Sequence, residues 1–242
     1  DLTANSFAID ARTGAEFGGI YYVNGAAAAA GAGTSTSPTT LTDAVARAGA
    51  NGVVVAMGNA GNITTGGVTL ASNQYLIGGA SSVSVRHSNG TVSAFGFGSS
   101  NGTIVGSNAG GAAVTLGQGS VVRDVTVRGA GSGILANGVG GFSLDRVTIE
   151  NTGGAGLTLT NTTGTVVVDG ITIRGGGGAG LLVNGGSGLV VGNSVIGGGA
   201  GAIDINDAGG NLTASLSSLT LSATGGTVLD IDGSGAGTVQ IA

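Results

Sequence analysis

The chain has 242 residues, including 54 glycines and one proline, and its formal net charge is −5. It contains no cysteine and no lysine, which excludes disulfides, thiol nucleophiles and the lysine of a phosphate-binding loop. Its seven arginines form no continuous basic stripe that could neutralise phosphates, so nucleic-acid binding is not expected.

The first quarter of the chain is predicted to form a capped end. Residues 1–20 are an N-terminal extension without a clear apolar period. Residues 21–62 are predicted to be an N-terminal cap with a helix near residues 39–49. Leu41, Val45 and Ala48 would share one face of that helix, and Gly49 would end it. We expect this helix to cover the open end of the fold that follows.

Residues 63–242 are predicted to form repeated coils, because an apolar pattern returns there about every 22–25 residues. The second half of the chain aligns on one column of apolar residues, namely Val127, Ile149, Ile173, Ile196 and Leu221. A second ladder contains Ile134, Leu157, Leu181, Ile203 and Leu229, and a third, looser ladder follows it in each coil. Three short strands per coil predict an all-β parallel β-helix solenoid of roughly eight coils. The uncharged residues 175–203 fit this repeat, so membrane insertion is not expected.

Several segments together resemble the β-helical passenger regions of large bacterial surface proteins of the autotransporter and adhesin type. These segments are Tyr21 to Pro38, the DAVARAG helix, VVVAMGNAGNITTGGVTLASNQYLIGG and the VTV and VTI coils. The resemblance implies a right-handed parallel β-helix related in fold to pectate lyases. It also implies an extracellular or bacterial cell-surface location.

Charged residues are expected to pair between neighbouring coils, which lie about 4.8 Å apart. Arg123 would meet Asp145, and Asp124 would meet Arg146. Arg128, Glu150 and Arg174 would form a column of alternating sign. We interpret these columns as surface ion pairs, the alternative being an active site similar to that of polysaccharide lyases.

Four aspartates near the C-terminus have no arginine nearby in the sequence, namely Asp204, Asp207, Asp230 and Asp232. Stacked carboxylates repel each other, so they need a compensating charge or full solvation. Carboxylate oxygens are the ligands that Ca²⁺ prefers, which makes these residues a candidate calcium site. A solvated acidic rim and a general acid–base pair for glycoside hydrolysis are the alternatives.

Ser100 lies in a G-x-S-x-G match, and His87 is the one histidine. A nucleophile elbow needs a helix after the serine, whereas a further strand is predicted here, so a surface histidine is the preferred interpretation. No catalytic or cofactor-binding residue is therefore predicted, and no cofactor except, as a candidate, calcium.

The sequence thus favours a structural or adhesive protein, a rigid rod that presents surface contacts to a glycan or protein ligand. One alternative is a filament subunit that self-associates end to end through an open C-terminal coil and the N-terminal extension. The alternative from another class is a polysaccharide lyase or glycoside hydrolase.

Overall fold

The computed structural model describes residues 9–87, 89–207, 211–233 and 237–242. It contains one helix, α1 (Leu41–Ala48), within those ranges. The strands in chain order are β1 (Ile9–Asp10), β2 (Ile20–Val23), β3 (Val53–Ala56), β4 (Ile63–Thr65), β5 (Val68–Thr69), β6 (Tyr75–Gly78), β7 (Ser82–Arg86), β8 (Val92–Gly96), β9 (Thr103–Gly106), β10 (Ala112–Thr115), β11 (Val121–Arg123), β12 (Thr126–Gly129), β13 (Ser132–Asn137), β14 (Ser143–Asp145), β15 (Thr148–Thr152), β16 (Leu157–Asp169), β17 (Thr172–Arg174), β18 (Ala179–Gly192), β19 (Val195–Gly198), β20 (Gly201–Asp207), β21 (Thr213–Ser217), β22 (Thr220–Ala223), β23 (Leu229–Gly233) and β24 (Thr238–Ile241).

The coils stack as the repeat predicts, and the parallel β-solenoid of about eight turns is confirmed. From β4 onward, each coil passes through three faces. The first face is a seven-stranded parallel sheet in the order β22-β19-β17-β15-β12-β9-β4. The other two faces join into one 14-stranded sheet, because β16 and β18 run around the corner between them without a break.

The predicted apolar columns are confirmed in the second half of the chain, with register shifts after Val127 and after Thr162. Val127 lies opposite Ile149, and the column continues through Ile173 and Ile196 to Leu221. The second ladder pairs Ile134 with Leu157 and continues in the same way to the last coil. Apart from partly buried residues in the last coil, these side chains form one continuous buried core inside the solenoid.

The helix covers one end of this core. Thr40 caps its N-terminus by accepting a hydrogen bond from the Asp43 backbone N–H, and the chain turns away at Gly49. Its buried face, which includes Leu41 and Val45, joins the main core. Parallel pairing has already begun at this end, because β2 pairs with β3. No helix in the described ranges has both the length and the apolar character needed to cross a membrane.

A small antiparallel sheet of order β1-β7-β8 lies outside the solenoid. We call it the lateral sheet. It covers the outer face of β3, β6 and β11, where a second apolar cluster forms from Val53, Val55, Met57, Tyr75, Ile77, Val83, Val85 and Val121. Phe17, Tyr22 and Phe97 pack against this cluster, which contains Tyr75. With Phe95, which contacts Phe97, five of the eight aromatic residues lie at the lateral sheet.

Candidate functional site

In the charged column on the first face, Glu150 forms ion pairs with both Arg128 and Arg174. Glu150 accepts hydrogen bonds from Arg128 Nε at 2.9 Å and from Arg174 Nε at 2.9 Å, one arginine from each neighbouring coil. Its side chain is only 9% exposed, whereas the two arginines are 40% and 67% exposed. The hydrogen bond from Arg128, followed by that from Arg174, holds the pKa of Glu150 below its usual value. The predicted column is therefore present, and its carboxylate is held as an anion between two cations.

The other charged column differs in one partner from the prediction. Asp124 accepts from Arg146 Nε at 2.8 Å, as expected. Arg123 does not form an ion pair with Asp145, although the two are opposite each other in the ladder. Asp145 Oδ2 instead lies 2.7 Å from Nη1 of Arg146, the next residue in the chain. Arg123 turns towards the lateral sheet, where its Nε donates to Ser81 Oγ at 2.9 Å. The prediction was wrong here because the lateral sheet supplies acceptors that the coil repeat does not reveal.

The structure brings the four aspartates of the candidate calcium site together as two separate pairs. Asp204 lies opposite Asp230 in the ladder, and both line a surface cavity of about 210 Å³. Asp207 and Asp232 line a different cavity of about 50 Å³. Among the described residues, no three acidic or histidine side chains lie close enough together to hold a metal ion. Calcium binding stays a prediction, and each pair would need oxygen ligands from backbone or water.

Asp207 has a particular environment within this set. Its side chain is buried, and Oδ2 accepts a hydrogen bond from the Leu212 backbone N–H at 3.0 Å. The other oxygen, Oδ1, is buried without a hydrogen-bond partner among the described residues. A buried carboxylate oxygen without a hydrogen-bond partner costs free energy.

Ser100 and His87 have different hydrogen-bond partners. His87 Nε2 is 2.7 Å from Ser93 Oγ on the lateral sheet. The Ser100 backbone oxygen accepts from the Gly58 N–H at 3.0 Å, and strand β9 follows instead of a helix. The local structure therefore lacks the strand–turn–helix arrangement of a nucleophile elbow.

A groove that the sequence did not predict lies where the lateral sheet meets the coils. It has a volume of about 350 Å³ and its lining includes Asp10, Arg12, Tyr75, Arg123 and Asp145. Its walls come from β1, β6, β7, β11 and β14 and the turn after β1. The groove thus combines two arginines, two carboxylates and a phenol in one concave surface.

Arg12 and Tyr75 hold each other in place within this groove. Arg12 Nε donates to the Tyr75 hydroxyl at 3.1 Å, and the guanidinium carbon lies 5.2 Å from the tyrosine ring centroid. Burial raises the pKa of Tyr75 to about 12, so the phenol is protonated at neutral pH. Asp10 is also buried and accepts from the Arg12 and Thr13 donors at 2.8 and 2.9 Å. The sequence offered no periodic signal in residues 1–20 from which this arrangement could be predicted.

Comparison with known proteins agrees with the geometry of the coils. A family model described as a right-handed β-helix region matches residues 51–219. A search of curated proteins finds no match. Among solved structures, the crystal structure of pectate lyase Pel9A is similar, with a TM-score of 0.65 and 12% sequence identity. The alignment covers 93% of this chain and 62% of that chain, so this chain spans less than two thirds of the length of the lyase. At this identity the likeness concerns the fold alone.

Proposed function

Because the chain belongs to the right-handed β-helix family, we propose that it acts as a structural or adhesive rod outside the bacterial cell. In this role the coils provide stiffness, and the side of the rod presents contacts to a glycan or protein ligand. The observation that carries the proposal is the apolar column from Val127 to Leu221, along which each coil pairs in parallel with the next. Ladders between neighbouring coils and one shared core support a stiff rod.

The charged columns support a structural role for the coil arginines. Arg128, Arg146 and Arg174 all form ion pairs with carboxylates of neighbouring coils. Exposed pairs of this kind contribute only about 0–1 kcal/mol each, and they join side chains of neighbouring coils. An arginine that removes a proton from a substrate needs to face an open site instead, so these three are poor candidates for catalysis.

The groove beside the lateral sheet is the best place for a ligand contact. It is concave and contains fixed donors and acceptors, and the 38% exposed side chain of Arg12 lies at its surface. Hydroxyl groups of a glycan match such a mixed set of partners. We expect Arg12→Ala to weaken glycan binding at least tenfold, with Arg174→Ala as the control because that arginine lies outside the groove.

The experiment that tests the proposal is binding of the purified protein to an array of bacterial and host-surface glycans. Binding by the wild type that Arg12→Ala removes and Arg174→Ala retains would support a contact at the groove. If no glycan binds, the same purified protein is passed over candidate surface proteins under identical conditions. Failure in both formats would overturn the adhesive role.

An enzyme of the polysaccharide lyase class is the second candidate, and the groove is the observation that favours it. The similar solved structure is named as a pectate lyase, and the groove places Arg12 and Arg123 on one concave surface. A lyase removes the C5 proton beside a uronate carboxylate and breaks the bond from C4 to the glycosidic oxygen; the leaving sugar takes up a proton, and the other sugar keeps a C4–C5 double bond. Incubation with polygalacturonate, followed by ultraviolet absorbance of unsaturated product, separates the two candidates. If the wild type forms the unsaturated product and Arg123→Ala does not, the protein is an enzyme and the proposed structural role is wrong.

A further inference from the structure

The outermost strand of the lateral sheet, β8, has a backbone edge with which no described residue pairs. Within the described ranges strand β8 pairs only with β7, and all five of its residues are exposed. Beyond its two ends, the His87 N–H donates to the Thr91 oxygen and the Phe97 N–H donates to the Ser81 oxygen. Antiparallel pairs alternate between bonded and non-bonded, which fixes the direction of every backbone group between these two bonds.

This alternation divides the backbone of β8 into two sets. Ser93 and Phe95 turn their N–H and C=O groups towards β7, as the bonded pairs require. Val92, Ala94 and Gly96 turn theirs away from β7, where no described residue pairs with them. Three donors and three acceptors are therefore arranged in a straight row at the surface.

The side chains of β8 do not protect this edge. Natural edge strands are commonly blocked by charged residues, by proline or by bulges. Strand β8 has none of the charges or prolines, and its Val92 and Phe95 side chains are 56% and 39% exposed. Water can satisfy these exposed groups one by one, but among protein partners a β-strand is the element that pairs with the whole row, so the geometry favours this kind of partner.

The strand is complementary to itself about Ala94. In a two-fold antiparallel pair, Val92 of one copy lies opposite Gly96 of the other, and Ala94 lies opposite Ala94. Each of these three pairs exchanges two hydrogen bonds, six in all. No like charges and no two bulky side chains meet directly, while Ser93 lies opposite Phe95 on the other face of the sheet.

We propose that β8 is a dimerisation edge through which two copies of this chain join their lateral sheets into one six-stranded antiparallel sheet. The partner is a second copy because the two-fold axis through Ala94 satisfies both edges with one contact and closes the assembly at two. The two rods would then be linked side by side near their helix-capped ends, not end to end.

Molar mass by sedimentation velocity over a range of concentrations tests the proposal. The monomer has a mass of 22.5 kDa, and we expect the wild type to double this mass as concentration rises. Ala94→Lys places two positive charges directly opposite each other, and Ala94→Pro removes an outward donor without touching a bond to β7. Both variants should stay monomeric. Ala94→Ser keeps every donor and is the matched control, which should dimerise like the wild type.

Amide hydrogen exchange provides the second readout. The Val92, Ala94 and Gly96 amides should become protected as concentration rises, whereas those of Ser93 and Phe95 should not change, because β7 already protects them. A wild type that stays monomeric at every concentration overturns the proposal and leaves the edge to a strand of another protein. Association that Ala94→Lys does not reduce, or growth beyond two copies, also overturns it.

Discussion

Glu150 joins three successive coils through one carboxylate, and its replacement tests the structural role of the charged columns. Arg128 Nη2 lies 2.5 Å from Oε1, and Arg174 Nη2 lies 2.7 Å from Oε2, so each oxygen serves one arginine. Glu150→Gln keeps the shape and one acceptor, but it turns an amide N–H₂ towards the other arginine. We therefore expect the variant to lose both charge attractions and one set of hydrogen bonds.

The magnitude follows from the exposure of the partners. Because both arginines stay solvated, each pair contributes at the level of exposed or half-exposed pairs, about 0.5–1 kcal/mol. The two pairs together give an expected loss of about 1–2 kcal/mol in the free energy of unfolding at neutral pH. Urea denaturation followed by circular dichroism measures this loss as a lower midpoint. Glu16→Gln is the control, because Glu16 is an exposed residue outside the coils.

The pH dependence gives the decisive comparison. The folded-state pKa of Glu150 is lowered, so its contribution is present above the unfolded-state pKa and is lost as pH falls through the folded-state value. The difference between wild type and Glu150→Gln should therefore shrink when the titration is repeated at about pH 3. Equal midpoints at neutral pH, or a difference that acid leaves unchanged, would refute the structural role of this column.

Three further predictions concern packing, ionisation and metal binding. Gly140→Ala should destabilise the protein by about 1–3 kcal/mol or more in the same urea assay, because the new Cβ would overlap the Thr163 carbonyl oxygen of the next coil. Gly66→Ala, which meets no atom within 4 Å, should be neutral or slightly stabilising, and equal losses in the two variants would contradict the packing. The raised pKa of Tyr75 predicts stability that falls as pH rises from about 10 to about 12, and Tyr75→Phe should remove the part of this loss that Tyr75 contributes. Ultraviolet titration in which every tyrosine ionises near pH 10 would argue against it. Calcium added in a calorimeter should release or absorb heat that Asp207→Asn reduces and Asp169→Asn does not, whereas a wild type without any heat would end the calcium prediction.

The coils could be predicted from sequence because the repeat is local and periodic. Once Val127 and Ile149 share a column, the strand period determines every neighbour in both coils. Such a column predicts which residues lie opposite each other. It does not predict which way a long side chain turns, and for this reason Arg123 was assigned the wrong partner.

The lateral sheet and its groove could not be predicted from the repeat, since they come from residues outside it. One signal was nevertheless present. Val53–Ala56 is apolar at all four positions, and a strand that is buried on one face only would alternate. Both faces of this strand are in fact buried, one in the solenoid core and the other under the lateral sheet. Residues 1–8 of the predicted extension lie outside the described residues.

The hairpin of β7 and β8 occupies a single connection between β6 and β9, two strands whose places are set by the coils on either side. The solenoid register therefore does not depend on how long that connection is or what it contains. A different inserted segment could replace the hairpin between β6 and β9, provided that it covers the apolar outer face of β3, β6 and β11. The coils and the exposed hairpin are therefore independent parts of the chain. The ligand-binding surface can change in this one connection while the length and register of the solenoid stay the same.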